Sequence, residues 1–252
     1  MRGSASLSYI EELQGETPFG RVLDAGTGTR SLRWLMTLNT SSITAVTGAP
    51  AMAAEVQGRL GDWQRPQDRL LVGNWADPDL LAGEQFDTVV ADHLLGAIEG
   101  FAPYFQTALF GRLRPLTVKR LYVTGMEPYV IQRPREEAGT LIWEIGRFRD
   151  ACLILSGAQP YREFPLDWVL AQLRRSGFRP IAARKISTSY RAEFVNGQID
   201  LCRPRLERMP DQTLGRSLIA HGEALRSRAL AYIESHGSLS QAVHHVVAAD
   251  PV

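Results

Sequence analysis

The segment from Val22 to Ser31 constrains the fold of this chain more than any other part of the sequence. Its first residues predict a buried strand that ends at Asp24, and a Gly-x-Gly turn with Gly26 and Gly28 follows. A helix pattern begins at Ser31. Glycine lets a ligand approach the main chain closely, and the N–H groups of a helix N-terminus favour negative charge. The segment therefore predicts a nucleotide-type cofactor site.

The residues around this turn help to choose between cofactors. A dinucleotide site prefers a third glycine and an acidic residue about 20 positions later. The third small position is Ser31, so a nicotinamide cofactor stays open as an alternative. The carboxylate of Asp24, directly before the loop, suits a cofactor that carries an ammonium group and would repel a pyrophosphate. S-adenosylmethionine carries such an ammonium group.

The letters L-D-A-G-T-G, which begin at Leu23, resemble the first motif of class I S-adenosylmethionine-dependent methyltransferases. The resemblance implies an α/β fold: a Rossmann-like seven-stranded methyltransferase sheet with helices on both faces. The unusual feature is a helical insert between the last two strands. We expect an N-terminal segment over residues 1–19 and one methyltransferase domain over 20–252, with a helical lid or insert at about 190–236.

The hydrophobic pattern supports this order of elements, because strands and helices alternate from residue 20 to about 128. After the first strand, the predicted strands are 42–47, 69–73, 86–91, 120–124, 180–186 and 244–248. The predicted helices are 31–36, 50–60, 99–113, one that contains 141–152, then 166–175, 192–208 and 213–236.

Two expectations concern the helical part. Few residues precede the first strand, so a lid would come from residues 128–165 together with the insert. The last long helix has an apolar stripe that must pack on the sheet domain or on a second copy of the chain. A homodimer through the insert therefore competes with the lid. The stripe consists of Leu214, Leu218, Leu225, Ala229 and Ile233.

Charge and composition exclude several classes of function. A net charge of +1 gives no basic footprint for nucleic acid, so no nucleic-acid partner is expected. No apolar run approaches the roughly 18 residues of a membrane span, and the N-terminus lacks a signal sequence. Cys152 and Cys202 are interpreted as core thiols, and no metal site is expected. These points favour a cytoplasmic protein.

The resemblance places the cofactor along the first strands. Asp24 would hold the ammonium group, Gly26 and Gly28 would line the methionine part, and Arg30 would hold the carboxylate. The alternative for Arg30 is an arginine that faces solvent. Thr47 stands after the second strand, where relatives place an acidic residue on the ribose. That departure puts tight cofactor binding in doubt.

The third strand is followed by a second group of candidates. Asn74 would contact the adenine amino group, with Trp75 beside the ring. Packing in the core is the alternative for Trp75.

The fourth strand ends where a methyl acceptor would approach. Asp92 and His93 are the candidate catalytic residues, Asp92 also contacting the cofactor and His93 acting as a general base. The N/D-P-P-Y/F motif of base-methylating enzymes is missing. Further candidates for contact with the substrate are Glu127, at the rim of the crevice, and Arg147, Tyr161 and Arg162; for these last three, surface or intrahelix ion pairs are the alternative.

The sequence thus predicts transfer of a methyl group from S-adenosylmethionine to an O or N atom of a small molecule. The alternative is a non-catalytic or nucleotide-cofactor-binding protein on the same fold, acting as a binding or partner subunit.

Overall fold

Seven strands form one sheet in the computed structural model, which describes residues 4–61 and 63–252. The spatial order of the strands is β3-β2-β1-β4-β5-β7-β6. Strand β7 runs antiparallel to β5, whereas the pairs among β1 to β5 are parallel. The seven-stranded α/β sheet predicted from the sequence is confirmed. The strands are β1 (Gly20–Asp24), β2 (Thr40–Thr47), β3 (Arg69–Val72), β4 (Phe86–Asp92), β5 (Thr117–Met126), β6 (Phe178–Tyr190) and β7 (Leu239–Pro251).

Nine α-helices and two short 3₁₀ turns, Ile98–Gly100 and Arg114–Leu116, are found among the described residues. The helices are α1 (Ala5–Gln14), α2 (Thr29–Leu35), α3 (Pro50–Leu60), α4 (Leu94–Ala97), α5 (Gln106–Leu113), α6 (Glu137–Leu155), α7 (Leu166–Arg175), α8 (Ala192–Leu206) and α9 (Gln212–His236).

The chain divides into two units, each with its own core. Unit 1 holds the chain up to Met126 together with residues 162–186 and 244–252. Unit 2 holds residues 127–161 and 187–243. Both chain segments from which the sequence predicts a lid therefore belong largely to one unit.

Side chains of unit 1 alternate between the two faces of its sheet, as the period of two in a strand requires. Val22 belongs to the cluster that buries α1, α2 and α3, whereas its neighbour Leu23 belongs to the cluster with α5 and α7. Both residues are fully buried. Helices therefore cover both faces, and the central strands read as continuous apolar runs for this reason.

One helix of unit 1 was not predicted, and one local prediction was wrong. Helix α1 lies inside the N-terminal segment, for which no helix or strand was predicted; Ser4 caps it, and Leu7 and Ile10 are buried. The expected helix over residues 99–113 is interrupted, because Pro103 disfavours a helix and Tyr104 has a φ of 67°.

Unit 2 contains the core formed by α6, α8 and α9. The apolar stripe of α9 packs into this core: Leu225 and Ala229 are buried, Leu218 and Ile233 are partly buried, and Leu214 stays exposed. The stripe is thus covered within unit 2, so the reason for expecting a homodimer through it was wrong. Cys152 and Cys202 are buried free thiols of the same core.

The topology of unit 1 indicates where a ligand would bind. The strand order reverses between β1 and β4, and ligands of open α/β sheets bind in the crevice beyond the carboxyl ends of the strands at such a point. Among the described residues, no helix is long and apolar enough to cross a membrane.

Candidate functional site

The loop after β1 is held tightly between its neighbouring strands. The N–H of Ala25 donates to the carbonyl of Val90 on β4, and the N–H of Thr27 donates to Val46 on β2, both at 2.8 Å. The loop is therefore fixed at the point where the strand order reverses. Hydrogen bonds to the neighbouring strands set the conformation of the loop, so the main chain that would contact a ligand is preformed.

Asp24 lies at the base of this loop and is fully buried. Thr27 Oγ1 donates to Asp24 Oδ2 at 2.6 Å, and Ser31 Oγ donates to the same oxygen at 2.8 Å. The other oxygen, Oδ1, has no hydrogen-bond partner among the residues that the structure describes. A buried carboxylate oxygen without a partner is costly, which indicates that a donor from a ligand belongs there.

The electrostatics of Asp24 support the same conclusion. Burial raises the pKa of this carboxyl to about 7, against the hydrogen bonds from Thr27 and Ser31 and an interaction with the N–H of Gly26, and the nearby Asp92 raises it further. The carboxyl is thus about half protonated at neutral pH in the free protein. A cationic ligand group beside it would favour the charged form and lower this pKa.

The two loop glycines have different surroundings. A Cβ on Gly26 would lie 3.0 Å from two side-chain carbons of Leu94. A Cβ on Gly28 would meet no atom within 4 Å, and its φ of −137° is open to any residue. Gly26 is therefore needed for packing against Leu94, whereas only Gly28 borders open space.

Asp92, at the end of β4, joins three elements. Arg30 Nη2 on α2 donates to Asp92 Oδ2 at 2.9 Å, and Thr124 Oγ1 on β5 donates to Asp92 Oδ1 at 2.5 Å. Burial raises the pKa of Asp92, but His93, Arg30 and the bond from Thr124 outweigh it, so the pKa lies below its usual value. Asp92 is therefore a carboxylate that fixes Arg30 at the mouth of the loop.

His93 follows Asp92 in the left-handed region, with a φ of 52°. Its N–H lies 3.1 Å from Thr124 Oγ1 and 3.2 Å from the Thr124 carbonyl. Burial lowers the pKa of His93, an effect that Asp92 opposes and Arg30 reinforces. The imidazole is therefore neutral at neutral pH, the form that can accept a proton.

Sequence reasoning missed His244, which lies close to His93 with ring centroids 5.2 Å apart. Burial and the neighbouring His93 and Arg30 lower the pKa of His244 to about 4. A signal was available: because β7 is antiparallel to β5, its early residues pair with the end of β5, and His244 is opposite Met126. The first residues of an antiparallel last strand thus belong at the crevice.

The residues predicted to bind the adenosine part of the cofactor make contacts within the protein instead. The indole N–H of Trp75 donates to the Ala25 carbonyl at 2.6 Å, and the ring is only 4% exposed, so Trp75 is a packing residue. Asn74 Nδ2 donates to the Phe101 carbonyl, and Asn74 Oδ1 accepts from Ala76. Thr47 is buried, and its hydroxyl lies 3.3 Å from the N–H of Ala49. The expectation that Trp75 flanks adenine was wrong because the core encloses its ring.

An aromatic ring that was not predicted as part of the site lies beside the end of β2. The ring of Phe101 is 45% exposed and lies over Gly48, where a Cβ would come within 2.7 Å of it. The hydrogen bond from Asn74 holds the main chain of Phe101 in place. A glycine directly after a strand end was the available signal that a large side chain packs against the main chain there.

The remaining substrate candidates belong to different units. In unit 1, Arg162 donates to Glu99 at 3.0 Å and lies over the ring of Tyr104, so it holds the 98–105 segment. In unit 2, Arg147 is exposed and lies 5.8 Å from the ring of Trp143. Tyr161 lies beneath the guanidinium of Arg149. Glu127 lines a cleft of unit 2.

The structure therefore brings together Asp24, Arg30, Asp92 and His93, and it adds Thr27, Ser31, Thr124 and His244 to them. This cluster combines a buried carboxylate, an anchored arginine and neutral imidazoles. Among the described residues, no group of three or more His, Cys, Asp or Glu side chains could hold a metal ion.

Comparisons with known proteins identify the fold. No protein-family model and no curated protein matches the chain. Solved structures do match, among them a Bacillus halodurans C-125 protein provisionally assigned as a methyltransferase, with 13% identity over 99% of this chain and 100% of that one and a TM-score of 0.59.

Two other solved structures cover similar lengths. Coclaurine N-methyltransferase, bound to N-methylheliamine and S-adenosylhomocysteine, is 11% identical over 98% of this chain and 72% of that one, with a TM-score of 0.55. The (4+2)-cyclase SpnF is 17% identical over 100% of this chain and 84% of that one, with a TM-score of 0.53. At such identities these likenesses show the fold.

Proposed function

We propose that this chain, which has the fold of the class I S-adenosylmethionine-dependent methyltransferases, binds S-adenosylmethionine and transfers its methyl group to an O or N atom of a small molecule. The observation that carries the proposal is Asp24: a fully buried carboxylate, one oxygen of which has no partner in the described chain, at the reversal of strand order. The ammonium group of the cofactor would satisfy that oxygen.

The residues present fit the methionine part of the cofactor well. Asp24 would bind the ammonium group. Arg30, which Asp92 anchors, would bind the carboxylate. Gly28 leaves open space for the carbon atoms of the methionine part. An arginine held on one side by a carboxylate loses little side-chain freedom when it binds a second anion. Bound there, the cofactor supplies a methyl group on a positively charged sulfur, open to attack by a nucleophile.

The fit at the adenosine end differs from the prediction. Because Asn74 and Trp75 bond to the main chain, we infer that the ring of Phe101 and the bare main chain of Gly48 form the adenine side instead. Thr47 is left as the hydroxyl nearest the end of β2, with no carboxylate for a ribose there. Recognition of the base would then depend on stacking more than on polar contacts.

His93 is our candidate for the general base. Its neutral imidazole can take the proton of an acceptor O–H or N–H, and Asp92 beside it stabilises the imidazolium that results. His244 lies against His93 and adds a second neutral ring to the same side of the crevice. Methyl transfer otherwise needs alignment of the acceptor and exclusion of water.

One observation favours the second candidate, a binding protein without catalysis. Thr47, Asn74 and Trp75 all serve internal contacts, so that the polar groups expected at the adenosine end are missing from the positions where the sequence suggested them. His93 is the counter-observation, because its neutral imidazole beside Asp92 could serve as a general base, which binding alone would not need.

Calorimetric titration with S-adenosylmethionine, S-adenosylhomocysteine and NAD separates the alternatives. Binding of the first two without NAD supports the proposal. Binding of NAD alone indicates a nicotinamide site, and no binding of any of the three refutes a cofactor role for the loop. Turnover is then assayed as release of S-adenosylhomocysteine in the presence of candidate acceptors.

A further inference from the structure

Unit 2 contains a cleft of about 390 Å³, a volume typical of sites for small molecules. The loop from Glu127 to Arg135 forms one wall, and the start of α6 and the residues before His244 form the other. The lining residues used below are Glu127, Arg133, Arg135, Gly139, Ile142 and Gln241.

Two glycines of α6 let the loop pack directly on the helix. A Cβ on Gly139 would lie within 3.0 Å of the ring of Pro134, and a Cβ on Gly146 would lie 2.6 Å from both Tyr129 and Val130. The two glycines are seven residues apart, so they lie on one face of the helix. The two glycines of α6 therefore determine how closely the loop approaches the helix.

Hydrogen bonds from α6 hold the same loop in place. Thr140 Oγ1 and Trp143 Nε1 donate to the carbonyls of Pro134 and Val130, both at 3.1 Å. Arg149, which is buried, donates to the hydroxyl of Tyr129 at 2.9 Å. A loop tied at three points along one helix gives a preformed cleft, which lowers the entropic cost of binding a ligand.

The charge of the cleft indicates the class of ligand. Arg133 and Arg135 are exposed and line the cleft, against the single carboxylate of Glu127. Arg133 lies over the ring of Trp143, and its nearest carboxylate oxygen, on Glu144, is 3.8 Å away, too far for a hydrogen bond. Arg135 has no ion-pair partner among the described residues. Both guanidinium groups therefore have donors left for an anion.

Main-chain pairing also holds the edge of the cleft. The N–H of Glu127 donates to the carbonyl of Val243 at 2.9 Å, and both residues line the cleft. The start of the loop is therefore fixed against the residues that precede the end of unit 2.

We propose that this cleft binds a small molecule carrying a carboxylate, which is held by Arg133 and Arg135. Glu127 then accepts a hydrogen bond from a hydroxyl or amine of the same molecule, and Ile142 contacts its apolar part. The binding of an acid by the cleft does not depend on the proposed function.

The test uses the full chain without cofactor and two matched probes, 4-hydroxybenzoate and its neutral analogue 4-hydroxybenzamide. Saturation-transfer NMR and competition give their relative affinities. We expect the acid to bind roughly 10-fold or more tightly than the amide, because only a carboxylate forms charge-assisted bonds with both guanidinium groups.

The variant Arg133→Gln/Arg135→Gln should lose this preference, with acid binding reduced roughly 10-fold or more. The control Arg208→Gln/Arg216→Gln removes the same charge from exposed positions elsewhere in unit 2 and should keep it. Equal binding of acid and amide would overturn the proposal, as would acid binding that survives in the cleft variant.

A separate titration with S-adenosylhomocysteine distinguishes the two failures. If that ligand binds and the acid does not, only the present inference fails. If the acid binds in the cleft and S-adenosylhomocysteine does not bind, the proposed function fails and the cleft remains a binding site for an acid.

Discussion

Arg30 and Asp92 are 62 residues apart in the chain, and their side chains meet at 2.9 Å across the reversal of strand order. Asp92 is itself held by Thr124, so the ion pair joins α2 to β4 and β5. The guanidinium is about half exposed, so solvent screens the pair and its contribution to stability is modest, although the Asp92 side chain is only 7% exposed. Its value lies in placing a cation beside the loop that Asp24 supports.

Replacing Arg30 by Gln should therefore affect ligand binding rather than folding. We expect roughly 10-fold weaker binding of S-adenosylhomocysteine, because a charge-assisted hydrogen bond to its carboxylate is lost, and little change in Tm. Arg33→Gln, on the exposed side of the same helix, is the control and should bind normally. Equal affinities in the two variants would mean that Arg30 serves only Asp92.

The two loop glycines should respond differently to the same substitution. In Gly28→Val the side chain enters open space, so the fold should stay intact while binding of S-adenosylhomocysteine is lost. Gly26→Val should lower Tm, because its side chain presses on Leu94. Thermal unfolding and calorimetry of both variants, with Gly58→Val as a control on α3, check this. Normal affinity in a folded Gly28→Val protein would show that the ligand lies elsewhere.

Asp24 should make the stability of the free protein depend on pH. Its folded pKa of about 7 is above the unfolded value, so the folded state binds more protons between about pH 4 and 7. The free energy of unfolding should fall as pH rises through this range. Between pH 5 and 8 we expect a loss of roughly 2–3 kcal/mol relative to Asp24→Asn, measured by urea denaturation. Parallel profiles for the two proteins would refute the shift.

His93 should be needed for turnover and not for cofactor binding. Because it has a positive φ, Asn is a better replacement than Ala, since Asn tolerates the left-handed region. His93→Asn should lower kcat by about 10²–10⁴ with unchanged affinity for S-adenosylhomocysteine. Since burial lowers its pKa, wild-type kcat at saturating S-adenosylmethionine should be level around neutral pH and fall only in acid.

The control for this prediction is His236→Asn, on an exposed turn of α9. Full turnover in His93→Asn would show that His93 is not a general base and that catalysis depends on alignment of the acceptor alone.

The sheet could be predicted from the sequence because its central strands are short apolar runs separated by polar turns. The position of Asp24 followed from the same pattern, since a strand that is buried on both faces carries its last side chain into the core. The covered stripe of α9 could not be predicted, because its partners on α6 and α8 are distant in sequence.

The details of the site depended on contacts that a pattern does not encode. That Thr27 and Ser31 both donate to one oxygen of Asp24 depends on the conformation of the loop. Trp75 could not be told from Phe101 for a similar reason: both are aromatic residues near strand ends, and only packing decides that the ring of Trp75 is buried and that of Phe101 is exposed. Predicting that His244 lies at the site would have required the register between β5 and β7.

The most direct test of the central claim is the proton balance of cofactor binding. If the ammonium group of S-adenosylhomocysteine binds at Asp24, the carboxyl must give up its proton, and at pH 7 roughly half a proton per molecule should be released. Calorimetric titrations in phosphate and in Tris, whose ionisation enthalpies differ, measure this number. Release near one half at pH 7, which increases as the pH is lowered to 6, is the predicted result. Binding with the same enthalpy in both buffers at pH 7 would contradict the account.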